Sequence, residues 1–286
     1  MNAIHRALGL FFDALLAPFE RLGDGFALVI ISGLFGVLAL LVFKRISFQS
    51  GIKAAKDRIK GHMIAIRLYQ DDLQIVASSF GKVLLHNVKY LGLNLMPVVP
   101  LFAPFTLIAA QLVVRYAFSP LPVKTEAEIQ GMLPGEGVML EVRMKADHRI
   151  DVEQLSLEFP QHIQVLTPLA RNAADGLALV EFVATAPGVG EITLKVGGEV
   201  VGTKSVVAGV ADRLMQPERV SDFLSSWLWP AEPTFSSSSP LYRVSFQYPD
   251  RRIGFLPSGA GGVLLTFFVA SIAFGLAVLK PLNIQI

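Results

Sequence analysis

The residues best suited to chemistry are few, and their spacing does not organise them. Asp71 and Asp72 are adjacent carboxylates. A divalent cation needs more oxygen ligands than two carboxylates supply. An aspartate just before an apolar helical run is better suited to accept from the free N–H groups of the first turn. His62 and His86 have no histidine or carboxylate at i+4, the spacing that would put two ligands on one helical face. Ser79-Phe80-Gly81-Lys82 has the S-x-x-K spacing of a serine nucleophile with a lysine, but none of the companion motifs. His148 and His162 stand among serines and aspartates with no nucleophile signature around them. The sequence has no HExxH, no GxSxG, no phosphate-binding loop and no dinucleotide fingerprint. It also has no cysteine, which excludes disulfides, thiolate nucleophiles and Cys-held metals. The expectation is a protein that is not an enzyme and calls for no cofactor or metal.

The elements that must position any function are easier to read. Hydrophobic residues make up 52% of the 286 and charged residues 17%, below the roughly 25% of soluble domains. The apolar residues gather into three long runs, which points to membrane spans and a lipid bilayer as partner. A net charge of +2 gives no footprint for nucleic acid. Phe26–Phe43 carries no charge and ends at Lys44-Arg45, and Val263–Leu279 ends at Lys280. Each approaches the length that crosses a hydrocarbon core of about 30 Å. A third apolar run, Leu91–Val114, contains Pro97, Pro100 and Pro104, which predicts a kinked helix packed on the other two. Residues 25–46, 91–117 and 253–280 are therefore expected to hold transmembrane helices.

Residues 1–24 read as an amphipathic helix and not as a signal peptide, because Arg6, Asp13, Glu20 and Arg21 interrupt any apolar core. Ile4, Leu8, Phe11, Phe12, Leu15, Phe19 and Leu22 recur at helical spacing, a face that fits either the membrane interface or a protein surface. Residues 47–90 predict a helical hairpin turning near Gln70-Asp71-Asp72, with Asp capping the second arm. Its expected seam is Ile52, Ile59, Ile66, Leu73 and Phe80, joined by Ala55, Tyr69, Val76 and Val83. The loop 44–90 holds nine Lys/Arg against Asp57, Asp71 and Asp72, the bias of a cytoplasmic segment. The expected setting is a multi-pass protein of the inner (plasma) membrane. Its N-terminus and residues 118–252 lie outside the cytoplasm, and its tail, 281–286, lies inside.

Between residues 118 and 252 the period changes to alternation. Runs at 137–144, 152–159, 163–166, 177–184, 191–196, 200–207 and 241–247 are separated by Pro-Gly and Gly-Gly turns. Seven or eight such strands predict an immunoglobulin-like β-sandwich inserted between spans two and three. Ser221–Trp229 reads as a short helix, and Trp227 and Trp229 fit either an aromatic anchor at the interface or packing beneath the sheets. Ser236–Ser239 reads as a loop.

The order of these elements, with Gly25-Phe26 opening the first span, Lys44-Arg45 closing it and a basic hairpin leading into Asn94-Leu95-Met96-Pro97, resembles the YidC/Oxa/Alb insertase superfamily. Its shorter archaeal and endoplasmic-reticulum members are closest in size. The resemblance covers roughly residues 4–117 and 254–280. It implies a three-helix core with a groove that receives part of a substrate chain. The family's bacterial members carry an arginine in the first span. The comparable Gly33–Val37 is uncharged, so the polar residues left to line a groove are Ser32, Thr106, Gln111, Thr266 and Ser271. Each also has a packing role, since Ser and Thr bond back to their own helix and Ser32-xxx-Gly36 and Ser271-xxx-Gly275 permit close approach.

The functional expectation is a membrane-protein biogenesis factor, insertase-like or an intramembrane chaperone, whose partners are nascent or unassembled membrane proteins. The alternative is an anchored interaction protein whose β domain binds an envelope protein, by edge-strand addition for example.

Overall fold

The computed structural model describes residues 2–210, 212 and 214–281. The expected tail 281–286 falls, after its first residue, outside the described residues. Helix α1 (Asn2–Glu20) divides its apolar positions: Phe12 and Leu16 are buried, while Leu10 and Phe11 are exposed. A turn at Gly23, whose φ of 113° suits a residue without Cβ, leads into α2 (Asp24–Ile46). Asp24 lies in the first turn of α2 and Lys44 and Arg45 in the last, each sign favourable to the helix dipole.

Helices α3 (Gln49–Leu68) and α4 (Leu73–Leu95) form a hairpin. Asp72 caps α4, its Oδ1 accepting from the N–H groups of Gln74 at 3.0 Å and Ile75 at 3.1 Å. The inward row of α3 is Ile52, Ala55, Ile59, His62 and Ile66. The expected continuation through Leu73 and Phe80 is corrected, because both are exposed, at 83% and 64%. The inward row of α4 is Val76, Ser79, Val83, His86 and Tyr90, with the His62 and His86 rings 5.4 Å apart. The physical reason is that the Asp72 cap starts a new helix with its own rotational phase, so one heptad register does not run through both arms.

Helix α5 (Val98–Tyr116) begins later than the expected Leu91. Met96 keeps helical backbone and its N–H reaches Gly92 O at 3.0 Å. Pro97 then lacks a donor, which separates α4 from α5. Among the described residues, helix α2, the stretch Leu73–Tyr116 and α8 (Gly259–Leu279) are the three segments long and apolar enough to cross a membrane. The 23 residues of α2 and 21 of α8 rise about 34 and 31 Å at 1.5 Å per residue.

A short helix α6 (Glu126–Gln130) opens the β-rich region, held by a capping box between Thr125 and Glu128. Nine strands follow among the described residues: β1 (Val138–Met144), β2 (Leu155–Glu158), β3 (Ile163–Val165), β4 (Ala170–Asn172), β5 (Leu177–Ala184), β6 (Gly188–Val196), β7 (Glu199–Ala208), β8 (Glu218–Val220) and β9 (Leu241–Ser245). They form two antiparallel sheets, ordered β3-β5-β1-β9-β8 with β4 also on β5, and β2-β6-β7. Leu140, Val142, Phe182, Val206, Leu241 and Val244 are buried in the core. Gly202 of β7 permits a close approach, since a Cβ there would lie 2.7 Å from the Phe235 ring and 2.9 Å from Leu241. The run expected as a strand over 152–159 is a strand only from Leu155. Ala146–Gln154 winds instead as 3-10 turns, which bury Val152. Helix α7 (Phe223–Leu228) is capped by Asp222, which accepts from Ser225 N–H at 2.8 Å.

The chain forms two compact units, Met1–Val29 with Thr106–Thr266 and Ile30–Phe105 with Phe267–Ile286. The antiparallel β region is thus a separate domain carried on the first of them, and the hairpin belongs to the second.

Candidate functional site

The second unit holds an apolar cleft of about 310 Å³. Phe35, Gly36, Ala39 and Leu40 come from α2, Leu101 and Phe105 from α5, and Ser271, Ile272, Gly275 and Leu276 from α8. Two of its lining rings, Phe105 and Phe35, pack on the buried ring of Phe267, with centroids 4.9 Å and 5.3 Å from it. Backbones approach closely beside the cleft. A Cβ on Gly36 would lie 2.0 Å from Ser271 O, and one on Gly33 2.4 Å from the Phe274 ring. Small residues make this approach possible where lipid supplies no hydrophobic drive between helices. Ser271 Oγ donates to Ser32 O at 2.8 Å, and Ser32 is fully buried. These two expected groove residues are thereby brought together, with the Ser271 hydroxyl proton engaged across the α2–α8 contact.

The other three lie in the first unit. Thr266 Oγ1 donates to Gly262 O at 2.9 Å, one turn back in its own helix. Thr106 is half-buried on α5. Gln111 is buried, and its Oε1 accepts from Arg115 Nη1 at 2.5 Å. Arg115 was not among the residues singled out from the sequence. It is 4% exposed, its Nη2 donates to Gly9 O at 3.0 Å and pairs with Asp13 Oδ1 at 2.7 Å, and its guanidinium lies 5.9 Å from the Phe12 ring. The signal was present: a cation directly after apolar Val113-Val114 near the end of a span. Such residues are rare in membrane helices and need partners. Here the partners tie α1 to α5.

Lys204 was also missed. Its side chain is fully buried in the β domain, bonded to a Glu232 carboxylate oxygen and donating to Gln216 O at 2.7 Å. Burial pushes its ammonium below the ordinary lysine range, against the pull of Glu232. Tyr248, nearby in the same domain, is raised for the same reason. The weaker motifs are separated by the fold. Ser79 is buried in the hairpin seam while Lys82 is exposed. His148 Nδ1 lies 2.7 Å from Asp151 Oδ2 on an exposed turn. Trp229 stacks near Phe118, with ring centroids 6.4 Å apart, and Trp227 near Phe223 at 5.9 Å. Among the described residues no group of three or more His, Asp or Glu converges as a metal site.

Comparison with protein-family models, characterised proteins and solved structures gives no match. What the apolar cleft can hold follows from its own chemistry. It offers dispersion contacts and small-residue surfaces to an apolar chain, and Ser271 is the single polar residue on its wall.

Proposed function

We propose that this protein is a membrane-protein biogenesis factor whose three-helix core transiently holds apolar substrate segments, an intramembrane chaperone related in design to the insertases. The observation that carries the reading is the apolar cleft between α2, α5 and α8. A transmembrane segment leaving the cleft for lipid exchanges one apolar surroundings for another. Binding then depends on packing against Gly36, Ala39 and Gly275 and stays weak enough to release. The basic loop 44–90 faces the cytoplasm of the inner membrane in this reading, and the β domain, arranged as an immunoglobulin-like sandwich, lies on the other side.

A photo-crosslinking residue at Ile272 tests the function. It is expected to capture a nascent apolar segment severalfold better than the same group at Val269, which is exposed on the same helix. Equal yields at both positions would refute the reading. Topology has its own test: Lys56→Cys in intact cells is expected to resist a membrane-impermeant maleimide that modifies Glu126→Cys. Labelling at Lys56→Cys from outside would reverse the orientation.

A further inference from the structure

The hairpin leaves a long apolar stripe without a protein partner. Along α4, Leu73, Phe80, Leu84, Val88, Leu91 and Leu95 follow i, i+7, i+11, i+15, i+18 and i+22, and all are more than half exposed. The stripe is rotated roughly 120° from the inward row of the same helix at 3.6 residues per turn. On α3, Lys53, Lys56, Lys60 and Arg67 are rotated from that helix's inward row by about the same angle and in the same sense. Two antiparallel helices packed through their inward rows bring equal rotations to the same side of the pair. The hairpin therefore carries one face that is apolar along α4 and cationic along α3. Lys56 Nζ, 5.5 Å from the Tyr90 ring centroid, spans the two arms on that side.

We infer that this face docks on an anionic phospholipid surface. An apolar stripe beside a row of cations is the pattern of helices that lie in the interface, with the apolar side chains below the headgroups and the cations among them. The loop 44–90 opposes nine Lys/Arg with three Asp, so it complements an anionic leaflet and disfavours a second copy of the same hairpin. The stripe is also continuous with exposed apolar surface at the start of the next span: beyond Leu95 come Met96 and then Val98, Val99 and Phe102 of α5. Both connections to the spans are interrupted at the same end of the hairpin, at Ser47-Phe48 between α2 and α3 and at Met96-Pro97 between α4 and α5. Pro97 supplies no N–H to hold the second joint straight. The hairpin bends at these joints to bring its face to the headgroups. This inference rests on the three spans and not on the chaperone reading.

The native chain has no cysteine, so single labels report cleanly. The full-length protein is placed in nanodiscs of phosphatidylcholine alone or with phosphatidylglycerol, carrying a nitroxide at Leu84→Cys or, on the other side of α4, at exposed Ser78→Cys. With phosphatidylglycerol, the Leu84 label is expected to lose accessibility to a water-soluble nickel chelate and gain accessibility to oxygen, while the Ser78 label stays aqueous. Adding Lys53→Glu and Lys60→Glu is expected to lower the docked-to-undocked ratio by roughly tenfold or more. Raised salt should act in the same direction. A Leu84 label that stays aqueous in both lipids overturns the proposal. So does one shielded only when an apolar polypeptide is added, which would assign the face to a protein partner.

Discussion

Replacing Lys204 with methionine is expected to destabilise the β domain by about 3–5 kcal/mol. The side chain is fully buried and its Glu232 partner is 8% exposed. In the variant, Glu232 stays in the interior without its ion-pair partner, with Arg219 still acting on it electrostatically, and keeps a 3.2 Å bond from Ser205 N–H to its Oε2. Gln216 O loses its 2.7 Å donor. The double variant Lys204→Met/Glu232→Gln is expected to recover most of the loss, because the cost lies in the orphaned charge and not in the missing attraction. The two tryptophans, Trp227 and Trp229, both lie in the domain, so their fluorescence during urea unfolding of the full chain in detergent reports the transition. The pH dependence follows from the depressed Lys204 ammonium. The unfolded chain binds that proton more tightly than the folded one. Wild-type stability therefore rises as pH climbs from the folded pKa to the ordinary lysine value, and Lys204→Met removes that slope. A single variant as stable as the wild type, with the same alkaline slope, would show that the pair is not what locks Gln216 and Glu232 together.

Lys204 also marks where the sequence stops being readable. Along β7, Gly202, Lys204, Val206 and Ala208 share one face by strand alternation, and the last three are buried. A lysine in such a row announces a buried partner. That partner, Glu232, comes from an irregular segment whose path no local pattern predicts. The same division runs through the fold. The apolar spans at Phe26–Phe43 and Val263–Leu279 were legible from composition alone, and β5 was legible to its exact ends because Leu177–Ala184 has turn residues on both sides. Strands β4 and β8 were not, because Ala170–Asn172 is exposed throughout and Glu218–Val220 shows no inside-outside alternation. The Asp72 cap was legible as local chemistry. The phase it imposes on α4 was not, which is why Leu73 and Phe80 fell on the wrong side of the expected seam. In the candidate site, the small-residue spacing of Ser32 with Gly36 and Ser271 with Gly275 was visible. That Ser271 donates to Ser32, and that Arg115 holds Gln111, depends on helix pairing that a single sequence does not encode locally.

The helix contact at Gly36 yields the second large effect. Gly36→Leu is expected to destabilise the second unit by at least the roughly 1–3 kcal/mol typical of overpacking. The clash begins at Cβ: it would lie 2.0 Å from Ser271 O and 2.6 Å from Ser271 C and Cα, all backbone atoms that no rotamer change moves aside. The α2–α8 crossing must open, which breaks the 2.8 Å bond from Ser271 to Ser32 O and reshapes the cleft that Gly36 and Ser271 both line. Gly36→Ala carries the same Cβ and should show much of the loss. Gly81 of α4 has nothing within 4 Å of an added Cβ, so Gly81→Ala should be neutral or stabilise by up to about 1 kcal/mol through helix propensity. Thermal unfolding in detergent separates these cases, and crosslinking from Ile272 tells whether the cleft fails with the contact. A Gly36→Leu protein that is less stable yet crosslinks normally would divorce substrate holding from the α2–α8 crossing. If stability and crosslinking fall together while Gly81→Ala leaves both intact, the close approach of the two helices is what shapes the cleft.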